Sequence, residues 1–194
     1  MMTAQKIKEA ALKQFSKSGY EGASLSKIAS EVGIKKPSIY AHFRSKEDLF
    51  LTVYREVLVE HVHWIEKIVD EMKQNSVEEK LYRILYFFSC ELEGYDEEKL
   101  EFLKRTTIFP PSFLKERIRA QFLEVEQQLS RILIKVFAEG IKQKLIRPEN
   151  MEDLLYAYYS LLDGTEIHGF YYGREHVAQK LQKRWDIFWR GIAL

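Results

Sequence analysis

Cysteine, proline and glycine are scarce in this 194-residue sequence, with one, four and nine copies respectively. The single cysteine, Cys90, excludes an intramolecular disulfide. Few prolines and glycines leave few turns, which favours an all-α chain of long helices. The longest nearly apolar run, residues 154–162, is far shorter than the roughly 20 residues that a membrane-spanning helix needs. No charged segment followed by an apolar stretch opens the sequence, so we expect no signal peptide and a cytoplasmic protein.

Net charge is also small, at +1 for the whole chain, but it is unevenly distributed. Residues 1–50 hold nine Lys and Arg against five Asp and Glu, a net charge of +4, which leaves −3 for the remainder. A basic N-terminal part is typical of nucleic-acid binding, and a surplus of this size is equally typical of an ordinary solvated surface. Charge alone leaves both interpretations open.

Two short helical patterns separated by a glycine occupy residues 24–48. The first has apolar residues at helical spacing: Leu25, Ile28, Ala29 and Val32. Ser24 is a candidate N-cap before this helix, and Gly33 is a stop after it. Pro37 suits the first turn of the second helix, where Ile39 and Phe43 point inward and polar side chains point outward. The pattern predicts a helix-turn-helix with a basic, hydrogen-bonding outer surface.

Further helices are predicted on both sides of this motif. A first helix over residues 4–18 ends at Gly19 and completes a three-helix core. A capping signature at Ser45–Asp48 begins a long helix that continues to about Lys73 and belongs to both domains. A second signature at Ser76–Glu79 begins another helix, followed by helices over 96–107, 112–145, 151–172 and 174–191. We expect two domains, residues 1–48 and residues 49–194.

The last two predicted helices carry an excess of apolar residues. Residues 151–172 are apolar nearly all round, and residues 174–191 have a single wide apolar stripe. Burial against a second copy of the chain is the simplest way to cover this excess. The predicted dimer interface comprises Leu154, Tyr158, Leu161, Val177, Leu181, Trp185, Phe188 and Trp189.

Three segments of the motif follow a known signature, IA…AGVS…YYHF..KEDL, nearly position for position. They are Ile28–Ile34, Ser38–Phe43 and Lys46–Leu49. In these segments the chain resembles the TetR family of transcriptional regulators. The resemblance covers residues 5–52, with Lys36-Pro37 and Ala41 as departures from the common pattern. Over residues 53–194 only the general layout of helices agrees.

The resemblance implies a homodimeric transcriptional repressor that binds a near-palindromic DNA operator. It also implies release by a small molecule that binds in the C-terminal domain and changes the spacing of the two recognition helices. The helix over residues 49–73 would transmit this change, with a coupling free energy of about 1–3 kcal/mol. A helical ligand- or partner-binding protein, with the helix-turn-helix as a protein-interaction surface, is the alternative.

The predicted DNA contacts are Ser24, Lys35, Lys36, Pro37, Ser38, Tyr40, His42 and Lys46. Lysine donates to phosphate or guanine, while hydroxyl groups and imidazole bond phosphates or base edges. For Ser24, a plain N-cap role is compatible with phosphate contact. Tyr40 has the alternative of packing partly inside the domain.

Aromatic residues of the C-terminal helices are candidates for lining a ligand pocket, with acidic residues as polar contacts. The candidates are Trp64, Phe87, Phe88, Phe102, Phe109, Phe122, Tyr159, Asp163, Glu166 and Phe170. Each of them is alternatively a residue of the core or of the dimer interface. An acid beside aromatic rings would favour a cationic ligand.

Signatures of catalysis and of metal binding are lacking in the sequence. It contains no G-x-S-x-G, no H-E-x-x-H, no C-x-x-C and no glycine-rich phosphate loop. His61 and His63 are two residues apart, which places them about 200° apart around a helix, so they cannot share a metal ion. We therefore expect no enzyme activity, no cofactor and no metal site.

Overall fold

The computed structural model describes residues 2–89 and 96–194, without the side chains of Met2, Glu97, Phe170 and Arg174. In this part the regular secondary structure is helical, apart from one bridge between Ile146 and Ala193, so the all-α fold class is confirmed. The helices are α1 (Met2–Gly22), α2 (Leu25–Val32), α3 (Lys36–Ile39), α4 (Lys46–Glu71), α5 (Val77–Ser89), α6 (Glu97–Ile108), α7 (Lys115–Lys142), α8 (Met151–Tyr172) and α9 (Arg174–Ile192). Cys90 lies outside the described residues.

Glycines set the boundaries of the N-terminal helices. The predicted stop at Gly19 is present as a break with φ 65° inside α1, which then continues to Gly22. Gly33 ends α2 in the left-handed conformation, with φ 76°, and its N–H bonds the carbonyls of the preceding turn. Pro37 lies in the first turn of α3 as predicted.

The second helix of the motif is shorter than its sequence pattern predicts. It ends at Ile39, so Tyr40 and His42 lie in the turns that follow it. The chain stays coiled there, because the N–H groups of His42 and Phe43 both donate to the carbonyl of Ile39, each at 2.9 Å.

Both capping signatures form hydrogen-bonded caps. At the start of α4, the hydroxyl of Ser45 accepts from the N–H of Asp48 at 3.0 Å. The carboxylate of Asp48 accepts from the N–H of Arg44 at 2.9 Å, one residue earlier than a standard capping box. At the start of α5 the box is reciprocal: Glu79 N–H donates to Ser76 Oγ at 3.2 Å, and Ser76 N–H donates to Glu79 Oε2 at 2.8 Å.

The predicted helix over residues 112–145 begins and ends differently in the structure. Residues Ser112–Leu114 form a 3-10 turn, and α7 proper starts only at Lys115. After α7 ends at Lys142, Lys144 adopts a positive φ of 60°. After this turn the Ile146 side chain packs against α7 at Gly140, where a Cβ would lie 2.6 Å from it.

Internal contacts divide the chain into two units. The first unit comprises Met1–His61 and Gly94–Val125, and the second comprises Val62–Glu93 and Glu126–Leu194. This division differs from the predicted boundary between residues 48 and 49, because α6 packs against α1. Helices α4 and α7 each contribute residues to both units.

An aromatic cluster forms the core of the first unit. The rings of Phe15 and Phe50 meet edge to face at 4.8 Å, and Phe102 from α6 lies 5.5 Å from Phe50. All three side chains are buried. Helix α6 therefore supplies part of the hydrophobic core against which the N-terminal helices pack.

The second unit is built around α5, α8 and α9. The buried hydroxyl of Tyr158 donates to the carbonyl of Leu81 at 2.6 Å, which ties α8 to α5. The indole N–H of Trp185, in α9, donates to Glu78 at 3.2 Å. These bonds satisfy polar atoms that burial would otherwise leave without a partner. In the part of the chain that the structure describes, no helix combines the length and apolarity required to cross a membrane.

Candidate nucleic-acid interface

Buried side chains orient the helix-turn-helix. Ile28 and Ala29 of α2, Ile39 of α3 and Phe43 after it are all enclosed in the first unit. Because these apolar side chains are buried, the polar residues of the motif point to solvent. The exposed residues are Lys35, Lys36, Pro37, Ser38, Tyr40 and His42. Tyr40 is 50% exposed, so it does not pack inside the unit.

Ser24 occupies the N-cap position of α2 but does not cap it with its side chain. Its backbone is extended, and its carbonyl accepts the first helical hydrogen bond from Ile28 at 3.0 Å. The hydroxyl makes no capping hydrogen bond. It is therefore not committed to the helix terminus and can bond a phosphate oxygen.

Lys46 lies against a tyrosine that sequence patterns did not identify. Its Nζ lies 4.5 Å from the centroid of the Tyr20 ring and 3.4 Å from the carbonyl oxygen of Glu21. Burial lowers the pKa of Lys46, and the charge of Glu21 partly restores it. This arrangement holds the ammonium group in place by cation–π attraction. No local signal pairs Tyr20 with Lys46, because they are far apart in the sequence.

The Tyr20 ring is itself fixed by neighbouring aromatic rings. Phe50 and Phe113 meet it in edge-to-face contacts, each with ring centroids 5.2 Å apart. Burial raises the pKa of the Tyr20 hydroxyl, with a smaller contribution from Glu21. Lys46 therefore rests on a positioned aromatic ring.

The candidate ligand-pocket residues fall into both units. Phe102, Phe109 and Phe122 belong to the first unit, and the other candidates belong to the second. Phe102 is a core residue, whereas Phe109 is 70% exposed at the edge of a cavity. Trp64 stacks with Phe87 at 6.4 Å in the second unit, and Phe87 meets Phe88 edge to face. The side chain of Phe170 lies outside the described residues.

Tyr159 and Asp163 lie in a region of negative charge in the second unit. The Tyr159 hydroxyl is within hydrogen-bond distance of Ser130, at 2.9 Å. Burial, with smaller contributions from Glu126 and Asp163, raises the pKa of Tyr159 to about 12. Burial first and Glu166 second raise the pKa of the Asp163 carboxyl. These carboxylates lie close enough to repel one another, and a cation would relieve the repulsion.

The candidate interface residues divide by burial. Leu154, Tyr158, Val177, Leu181 and Trp185 are enclosed within the second unit. They have no surface in the single chain to offer a partner, because α8 and α9 bury them against α5 and each other. Leu161, Phe188 and Trp189 remain partly exposed.

The two histidines of the H-x-H pair have opposite environments. His61 is buried in the first unit, where burial and the charge of Lys104 lower its pKa to about 4. His63 is exposed and lies 3.5 Å from Glu66. Among the residues that the structure describes, no group of three His, Cys, Asp or Glu side chains is placed to hold a metal ion.

Comparison with known proteins identifies relatives that are regulators. Residues 7–53 match the family described as bacterial regulatory proteins, tetR family. IcaR of Staphylococcus aureus, the negative transcriptional regulator of the biofilm operon icaADBC, is 29% identical over 77% of this chain and 76% of its own length. The transcriptional repressor AcnR of Corynebacterium diphtheriae is 42% identical over 28% of this chain and 29% of its own length.

Solved structures share the fold along nearly the whole chain. A Saccharomonospora viridis protein in complex with choline superposes with a TM-score of 0.79 at 22% identity, covering 98% of this chain and 97% of that one. The regulator FadR of Bacillus subtilis, in complex with stearoyl-CoA, gives 0.73 at 21% identity, covering 97% and 98%. Residues 7–53, which contain the helix-turn-helix and its basic outer face, match the tetR family of bacterial regulatory proteins, and the chain as a whole is similar to these regulators in sequence and fold.

Proposed function

We propose that this chain is a DNA-binding transcriptional repressor that acts as a homodimer and is released from its operator by a small molecule. The observation that carries the proposal is the exposed face of α3 and its following turn. Lys35, Lys36 and Ser38 point to solvent there, while Ile39 and Phe43 fix the backbone from inside. Such a surface provides cations for phosphates and hydrogen-bonding groups for base edges.

Selection of binding sites from random DNA tests the proposal. We expect a palindromic site, since the two half-sites would match the symmetry of a dimer. Affinity should fall steeply as salt rises, because lysine contacts to phosphates release counterions. Binding with neither salt dependence nor sequence preference would reject the DNA-binding function and favour a protein-interaction surface instead.

The dimer interface is assigned to the exposed apolar side chains of the last two helices. Tyr156 on α8 and Ile187 on α9 are 76% and 66% exposed, unlike the enclosed residues beside them. Tyr171 and Tyr172 at the end of α8 are also largely exposed. Large apolar side chains left in water on adjacent helices are typical of an interface.

The ligand is assigned to the second unit, at the carboxylates beside Tyr159. Asp163 and Glu126 lie near this aromatic ring and hold raised carboxyl pKa values, which favours a cationic ligand. Choline, bound by the structural neighbour from Saccharomonospora viridis, is a suitable first probe.

A thermal-shift titration with choline tests the assignment, since a ligand that binds only the folded state raises the melting temperature. Asp163→Asn should abolish the shift. Asp153→Asn, an exposed acid on the same helix, is the control and should leave it unchanged. A shift that survives Asp163→Asn would place the ligand elsewhere.

A further inference from the structure

A cavity of about 340 Å³ lies within the first unit, next to the helix-turn-helix. Its wall contains Gly19, Tyr20 and Phe50, together with Arg105 and Thr106 of α6 and Phe109 just after that helix. Phe109 stands at its edge and is largely exposed. A cavity with aromatic rings on several sides suits a flat, apolar group of a small molecule.

Arg105 is the cationic residue of this wall. Its Nη1 donates to the carbonyl oxygen of Ser16 at 3.3 Å. Within the described part of the chain, no carboxylate lies at ion-pair distance from its guanidinium group. Most of its five N–H donors are therefore available to an anion.

Because Gly19 has no side chain, the Arg105 guanidinium group can lie close to the α1 backbone. A Cβ at Gly19 would lie 3.1 Å from Nη2 of Arg105, and the residue has a positive φ of 65°. The acid in the cavity wall, Glu21, acts electrostatically on Lys46, so these two charges offset each other. Glu98 and Glu101 line an adjoining cleft together with Arg105, but neither forms an ion pair with its guanidinium group.

We propose that this cavity binds a small aromatic carboxylate, with its ring among Tyr20, Phe50 and Phe109 and its carboxylate on Arg105. The planar guanidinium fork matches the two oxygens of a carboxylate. The same Tyr20 ring that lines the cavity supports Lys46. A bound ligand would therefore act on a predicted phosphate contact, a consequence that rests on the proposed DNA-binding function.

Calorimetric titration of the full chain without DNA tests the site, using benzoate and 1-naphthoate as probes. Both should bind saturably, whereas benzyl alcohol and benzylamine should bind much more weakly. Arg105→Gln should lower benzoate affinity about tenfold, as expected for loss of a charge-assisted hydrogen bond. Arg119→Gln, an exposed arginine of α7 outside the cavity, is the matched control and should leave the affinity unchanged.

Phe109→Ala provides a second variant that does not disturb the core, because this side chain is exposed. It should also weaken benzoate binding while the melting temperature stays unchanged. Equal affinity in the Arg105→Gln and Arg119→Gln variants would overturn the proposal. So would tighter binding of benzylamine than of benzoate, or the absence of saturable binding by both carboxylates. Because DNA is absent, these outcomes do not depend on operator binding.

Discussion

At the scale of single residues, the outward face of α3 and the turn after it combines two kinds of contact. Lys35 and Lys36 carry positive charges that attract phosphates of any DNA sequence. Ser38 and His42 carry hydrogen-bonding groups whose directional bonds can distinguish base edges. All four side chains are exposed, so their replacement should leave the core intact. The two kinds can therefore be separated by substitution.

Lys36→Ala should weaken binding to all DNA sequences and reduce the salt dependence by about one phosphate contact. Ser38→Ala and His42→Ala should instead relax the preference at particular base pairs. Fluorescence anisotropy against the selected operator and its single-base variants measures both effects. Uniform losses from all three substitutions would argue against base recognition by this face.

His61 predicts a pH dependence of folding. Its pKa of about 4 in the folded chain is below its ordinary value of 6.5, so the unfolded chain binds the proton more readily. Stability from the neutral imidazole is complete above about pH 6.5 and is lost as pH falls toward 4, by roughly 3 kcal/mol in total.

Urea unfolding across this pH interval measures the effect. His61→Gln should lower the free energy of unfolding near neutral pH but flatten its decline with acid. His63→Gln, an exposed neighbour on the same helix, should keep the wild-type slope. If the His61→Gln and wild-type curves run parallel, the buried imidazole does not cause the decline.

At the scale of helices and turns, the N-cap serines Ser24 and Ser76 differ in the hydrogen bonds that their side chains make. Ser76 shares reciprocal hydrogen bonds with Glu79, whereas the Ser24 side chain makes no cap hydrogen bond. Ser76→Ala should therefore lower the free energy of unfolding by about 1 kcal/mol. Ser24→Ala should change stability much less and instead reduce affinity for DNA. Chemical denaturation and DNA titration of both variants test this; equal stability losses would contradict it.

Local signals predict much of the fold. The stop at Gly33, the first-turn proline Pro37 and the capping pair Ser76 and Glu79 act within a few residues, so the sequence itself displays them. The C-terminal end of α3 is an exception. The sequence pattern predicts a longer helix, but α3 ends at Ile39 and the chain continues as turns.

Contacts between distant segments could not be predicted. The pairing of Tyr20 with Lys46 and the packing of Phe102 beside Phe50 depend on how helices meet, which a single sequence does not display. The apolar stripe of α9 predicts burial against a second copy, but much of it is buried within the chain itself. An apolar pattern indicates burial without indicating which surface covers it.

At the scale of the whole molecule, the assembly prediction follows from this distinction. Ile187→Glu should convert the dimer to monomers, since it places a charge on an exposed apolar position of α9. Trp185→Glu should unfold the second unit instead, because its side chain is buried. Lys183→Glu, an exposed position on the same helix, should leave the dimer intact. Analytical ultracentrifugation with circular dichroism distinguishes these results; a dimeric Ile187→Glu variant would move the interface elsewhere.

The first unit draws on two separate stretches of chain, and this has a consequence for protein engineering. A chimaera that exchanges only residues 1–48 with a relative would place foreign helices on the native Phe102 and Arg105. Mismatched rings at that contact would create voids or clashes of the kind that destabilise a core. To transfer DNA specificity to a relative, residues 94–125 should therefore be exchanged together with the N-terminal helices.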